Sequence, residues 1–120
     1  MGGAAGTVST GAAAEALAAR YLAQQGLVIV AHNWRTRRGE IDLIAREGRT
    51  IVFVEVRLRQ HRGFGGAAAS ITATKRARLI SAAEQYLATL GTLPACRFDA
   101  VLLDALHRDN IEWLRDVIST

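Results

Sequence analysis

The stretch Ile51-Val52-Phe53-Val54-Glu55-Val56 constrains this chain more than any other part of it. Five of its six residues are β-branched or aromatic, the composition of a strand. A strand with one wet face alternates apolar with polar residues. This one does not alternate until its far end, so both of its faces must be covered. Helical patterns lie before and after it, and a sheet covered on both sides by helices is an α/β architecture. The same run carries a carboxylate, Glu55, where a core residue belongs.

The rest of the pattern fits around that strand. A helix is expected from about Thr10 to Gln25, capped by Ser9 or Thr10 and closed at Gly26, with Leu17, Tyr21 and Leu22 at helical spacing. A short strand, Leu27 to Ala31, precedes a polar bend from Asn33 to Gly39. Strands Glu40 to Ala45 and Thr50 to Leu58 flank a turn at Arg46-Glu47-Gly48-Arg49. A glycine-containing loop, Gln60 to Ala69, leads to a second helix from about Thr72 to Leu90. Its apolar stripe is Leu79, Ile80, Ala83, Tyr86, Leu87 and Leu90, and Gly91 and Pro94 end it. Arg97 to Leu103 and Asn110 to Leu114 read as the last two strands. The order is αβββαββ, in one domain over residues 10–120 after a flexible tail at 1–9, and 120 residues suit one domain.

No run of about 18 uncharged apolar residues exists, so no membrane-spanning helix is expected. The alanine-rich start, Gly2 to Ala14, has no Lys or Arg and does not read as a secretory leader, which places the protein in the cytoplasm. The single cysteine, Cys96, excludes an internal disulfide and a cysteine-based zinc cluster, and its apolar surroundings read as a buried, inert thiol. Fifteen basic residues face eleven acidic ones, and eleven of the fifteen lie between Arg35 and Arg78. A polyanion is the natural partner for such a field.

Alternation along strands puts Glu40 and Asp42 on one face of the second strand, with Ile41 and Leu43 on the other. On the third strand Ile51, Phe53, Glu55 and Arg57 share a face. With the turn at Glu47-Gly48, Asp42 falls near Phe53 and Glu40 opposite Glu55. Like charges side by side destabilise a sheet, and a buried unpaired carboxylate costs several kcal/mol. Two arrangements answer this. Arg57, Arg59 or Arg37 can pair with the acids, or a divalent cation with hard oxygen ligands, Mg2+ or Mn2+, can bind them. Spacing alone leaves both open. Lys75, the only lysine, stands with Arg76 and Arg78 at the start of the second helix, where acids are normally preferred, so a nearby anion is one reading and an ordinary solvated basic face the other. The loop Arg62-Gly63-Phe64-Gly65-Gly66 matches no phosphate-loop spacing, His61 reads as solvent-exposed, and no nucleophile-elbow or dinucleotide fingerprint is present.

The string Gly39-Glu40-Ile41-Asp42-Leu43-Ile44-Ala45, followed by Val52-Phe53-Val54-Glu55-Val56-Arg57, resembles the YraN family of bacterial proteins. The spacing to Lys75 and to Arg97-Phe98-Asp99 resembles it too, so the likeness covers nearly the whole chain. That family is similar to the restriction-endonuclease-like nucleases, nearest the archaeal Holliday-junction resolvases, whose sites read Asp, then Glu-x-Lys on the next strand. The resemblance implies a restriction-endonuclease-like fold in which Asp42 and Glu55 hold Mg2+ or Mn2+. The Val56 carbonyl would face the metal, and Glu15 on the first helix would be a further acid beside it. At position 57 the chain departs from the pattern, with Arg57 where Lys is usual. Arginine keeps the charge that stabilises a phosphorane-like state but does not act as a base.

Two functions are therefore expected as alternatives. One is a metal-dependent endonuclease hydrolysing nucleic-acid phosphodiesters, with Asp42, Glu55 and Arg57 as the catalytic set. DNA is favoured over RNA, with branched DNA a candidate substrate and the choice between branched and linear left open. Arg37, Arg38, Arg59, Lys75 and Arg76 would then contact nucleic acid. The other is a nucleic-acid-binding module of the same fold without turnover, for which Arg57 is the argument. The resolvase likeness also implies a homodimer, because cutting both strands of a junction needs two sites.

Overall fold

The computed structural model describes residues 10–59, 72–104 and 110–118. The expected tail at 1–9, the glycine loop with His61, and the loop before the last strand lie outside them. In chain order the elements are α1 (Thr10–Gln24), β1 (Val28–Arg35), β2 (Glu40–Glu47), β3 (Thr50–Arg59), α2 (Ala73–Ala88), β4 (Cys96–Asp104) and β5 (Ile111–Leu114). The strands form one mixed sheet in the order β1-β2-β3-β4-β5, with β3 and β4 parallel and every other pair antiparallel. This is the αβββαββ, α/β architecture the sequence implies. No helix among the described residues is long and apolar enough to cross a membrane.

The β3 run is buried on both faces because each face carries a helix. Val52 and Val54 pack with Leu43, Ala45, Val101 and Leu103 under Ala14, Ala18 and Leu22 of α1. Ile51 and Phe53 pack with Ile44 and Phe98 under Leu79, Ala83 and Tyr86 of α2. The Tyr86 ring meets Trp34 and Phe53 edge-on, at 5.5 and 6.0 Å between centroids. Gly26, at φ +101°, ends α1 as expected: Leu27 N–H donates to the Leu22 carbonyl and Gly26 N–H to that of Ala23, the paired bonds of a left-handed helix stop. Helix α2 starts at the Thr72 cap, whose hydroxyl accepts from Lys75 N–H at 3.1 Å.

Six expectations need correction. Strand β1 extends to Arg35, so most of the supposed bend is strand and only residues 36–39 turn. Strand β2 extends to Glu47, leaving Gly48 and Arg49 as a two-residue turn with Gly48 at φ +60°, a value that suits the first central residue of a tight hairpin. The β2–β3 register therefore pairs Ile44, not Asp42, with Phe53. Ile41 and Leu43 do not share a face. Ile41 joins the α2 core and Leu43 the α1 core, so β2 departs from strict alternation around Asp42. Cys96 is exposed at the start of β4 rather than buried, and Leu90 lies exposed past the end of α2.

Candidate functional site

The β1–β2 turn is tied to itself through Thr36. Its N–H donates to the Gly39 carbonyl at 2.8 Å, and its hydroxyl accepts from Arg38 and Gly39 N–H, both at 3.1 Å. Gly39 then packs against α2 so closely that a Cβ there would sit 2.6 Å from the Arg78 carbonyl oxygen. Only glycine fits this approach. Between the turn and α2 lies a cleft of about 760 Å³, lined by Arg35, Arg37 and Arg38, by Asp42 and Glu55, and by Thr72, Lys75 and Arg78.

Asp42 and Glu55 meet where the β2–β3 ladder ends. The ladder runs from Glu47↔Thr50 to Leu43↔Val54, and one further step sets Asp42 beside Glu55. There the Asp42 Oδ2 accepts the Val56 N–H at 2.9 Å, a side chain taking a backbone's place. In a strand the N–H and C=O of one residue face the same neighbour, so the Val56 carbonyl is also turned toward β2. Burial is the chief reason the Asp42 carboxyl is pushed up from 3.8 to about 8, and the charges of Glu55 and Glu15 add to it against the opposing Val56 N–H. A carboxyl raised this far keeps its proton at neutral pH, and Asp42 is hydrogen-bonded to Glu55.

Glu55 is 5% exposed. Its Oε2 is met by two cations, the Lys75 ammonium from α2 and the Arg57 Nε, 3.1 Å away along β3. The structure thus brings Asp42, Glu55, Val56, Arg57 and Lys75 together. Glu15 stands half-buried on α1, near enough for its charge to act on Asp42. Arg37 and Arg38 are exposed on the cleft rim. Arg76 is exposed but does not line the cleft. Arg59 closes β3 in register with Asp104, and its side chain lies outside the described residues. Glu40, expected opposite Glu55, instead pairs with Arg35 across β1 at 3.5 Å, with its side chain half exposed.

Among the described residues no three His, Cys, Asp or Glu side chains form a ready ligand group. The donors present are nonetheless all oxygen: two adjacent carboxylates, held together by a proton, and a carbonyl turned to the same side. That set fits a hard divalent ion, which takes its remaining ligands from water and phosphate. Sequence reasoning grouped Arg78 with Lys75 and Arg76 but left it out of the expected nucleic-acid contacts; it lines the cleft, three residues from Lys75 on one helix face, and Arg76 does not. The same reasoning missed the role of Asp99, 1% exposed on β4. Asp99 accepts from Arg97 Nε at 3.0 Å, Trp113 Nε1 at 2.9 Å and Asp116 N–H at 2.9 Å, while Arg97 reaches on to Glu47 at 2.8 Å. This network ties β5 and the residues after it to the sheet, on the face away from Glu55.

The model of the family described as Uncharacterised protein family UPF0102 matches residues 14–103, a span that includes all of these acids except Asp104 and Asp116. A UPF0102 protein of Methylobacillus flagellatus is 59% identical over 106 residues, covering 88% of this chain and 93% of its own. One from Cupriavidus metallidurans is 57% identical over 111 residues, covering 92% and 81%. A third, from Nitrosospira multiformis, is 52% identical over 103 residues, covering 86% and 87%.

Proposed function

The chain belongs to the uncharacterised protein family UPF0102, and we propose that it is a metal-dependent endonuclease acting on DNA phosphodiesters. The observation that carries this reading is the buried pair Asp42 and Glu55, set side by side at the end of a ladder and opening into a cleft rimmed by arginines. Asp42, Glu55 and the Val56 carbonyl would hold Mg2+ or Mn2+, with Glu15 supporting Asp42 from α1. When bound, such an ion supplies Lewis-acid polarisation of water and phosphate. The protein's own groups do the rest. Arg37, Arg38 and Arg78 grip backbone phosphates across the cleft, with Arg59 and Arg76 extending the basic surface. Arg57 and Lys75 place positive charge where the pentacovalent phosphate gathers negative charge. Arg57 keeps its proton throughout. A homodimer would present two such sites to a branched DNA.

Calorimetric titration with manganese, beside Asp42→Ala and Glu55→Ala, tests the site, and the same samples on branched, duplex and single-stranded DNA test the chemistry. Binding lost in both variants, with cleavage by the wild type alone, is the expected result. Absence of cleavage of every substrate in both metals would sink the nuclease reading. The alternative is a binding module without turnover, and it rests on Arg57 standing at the usual lysine position and already paired with Glu55. It predicts salt-sensitive DNA binding that survives Asp42→Ala.

A further inference from the structure

Glu55 is a buried carboxylate that must have a counter-charge, and it has two. They differ in freedom to leave. Arg57 belongs to β3, in register with Leu102 of the parallel neighbour, so its backbone is fixed within the sheet two residues from Glu55. Lys75 reaches Glu55 from the first turn of α2, its backbone N–H held by the Thr72 cap and its side chain 35% exposed and lining the cleft. Both side chains are about one-third exposed, 33% and 35%, but of the two only the lysine, a point charge on a flexible four-methylene stem, lines the cleft into which it would move.

Charge balance says when it should swing. Once a metal displaces the Asp42 proton, Asp42, Glu55, Arg57 and Lys75 carry two negative and two positive charges of their own. A divalent cation on the two carboxylates then leaves these four groups with two unbalanced positive charges, and it draws on the Glu55 carboxylate whose Oε2 Lys75 holds. A nucleic-acid backbone along the arginine rim supplies the missing anions. We propose that Lys75 is a tethered stand-in for the metal: it holds Glu55 in the protein alone, then moves to a backbone phosphate when metal and nucleic acid bind. Metal and nucleic acid consequently bind cooperatively, each raising the affinity for the other by the same factor. Lys75 is in this respect a positioning residue for the metal ligand. The inference rests on the metal-site reading above and adds to it a competition between Lys75 and the metal.

The test is manganese affinity, measured by calorimetry without any turnover. Wild type is titrated alone, with a cleavage-resistant phosphorothioate duplex, and with an uncharged methylphosphonate duplex. Lys75→Met, Lys75→Gln and Arg49→Gln, which removes a charge from the distant hairpin turn, are titrated alone. The charged duplex should tighten manganese binding to wild type about tenfold, the scale of one charge-assisted contact, and the uncharged duplex should not. Both Lys75 variants should bind manganese about tenfold more tightly than wild type in the absence of DNA, and Arg49→Gln should match wild type. Equal affinity in wild type and the Lys75 variants overturns the exchange while leaving the metal site standing. So does equal tightening in Arg49→Gln, or equal enhancement by both duplexes. Should both Lys75 variants fail to fold, the duplex comparison on wild type decides alone. A wild type that binds no manganese with or without duplex overturns the metal site and this inference together.

Discussion

The Asp42 carboxyl, raised from 3.8 to about 8, makes the stability of the metal-free protein depend on pH in an unusual direction. Most ion-paired or hydrogen-bonded acids are held below their ordinary range, so their proteins gain stability as pH rises through the acid region. Here the folded protein keeps a proton that the unfolded chain has released. The contribution is complete below the unfolded value and is lost as pH rises through the folded one, so the window runs from about pH 4 to about pH 8. Within it one proton separates the two states, and stability falls by about 1.4 kcal/mol per pH unit. Asp42→Asn keeps the shape and removes the titration. In urea unfolding with a chelator present, wild type should lose about 2–3 kcal/mol relative to Asp42→Asn between about pH 5.5 and about pH 7.5. That is a large part of the about 5–15 kcal/mol a domain has. Manganese should remove much of the loss in wild type and have little effect on the variant, because only a protein with its site intact is stabilised by binding. A difference between the two proteins that stays flat across this range would refute the assignment of this proton to Asp42.

Two further outcomes follow from packing. Gly39→Ala should destabilise by about 1–3 kcal/mol, because its methyl would press on the backbone of α2 rather than on a flexible side chain, and it should weaken DNA binding by shifting Arg37 and Arg38. Gly48→Ala, with open space around it but a φ of +60°, should cost about 1–2 kcal/mol and leave DNA binding alone; thermal melts and salt-dependent binding separate the two. Asp99→Ala strands the N–H groups of Trp113 and Asp116 and leaves Arg97 with Glu47 as its counter-charge, and should cost about 3–5 kcal/mol in chemical denaturation while leaving manganese affinity unchanged.

What the sequence made legible was whatever local chemistry determines. The unbroken apolar run at Ile51 to Val54 required cover on both faces, and both helices are there. Gly26 marked a helix stop because only a residue free to take a left-handed φ suits that place. The two carboxylates were found, but not how they meet. The expected register was two residues out, since a tight turn at Gly48-Arg49 lets β2 run on through Glu47, and a strand pattern does not announce where pairing stops. The face change between Ile41 and Leu43 was invisible for a related reason. Both are apolar and both are buried, in different cores, and alternation alone assigns them to one. Cys96 was misplaced because it borders an apolar strand, yet burial depends on which end of that strand the helices cover.

Two acids of this sheet, the buried Asp99 and the partly buried Asp42, sharpen the case for Asp42 when compared with each other. Asp99 and Asp42 are drawn from the same chain and the same sheet, and both sit among apolar strands. Around Asp99 the fold supplies a guanidinium, an indole N–H and a backbone N–H, and a non-glycine residue, Asp116, takes a φ of +56° where its N–H reaches the carboxylate. Around Asp42 the described residues supply one backbone N–H and two further carboxylates. A fold that satisfies one buried acid so fully has no general difficulty doing so. The cost carried at Asp42 is local, it faces a cleft rather than the core, and its cations are aimed at Glu55 instead. Strain of that kind, kept at one opening of an otherwise consistent structure, supports the proposal of a divalent-cation site there.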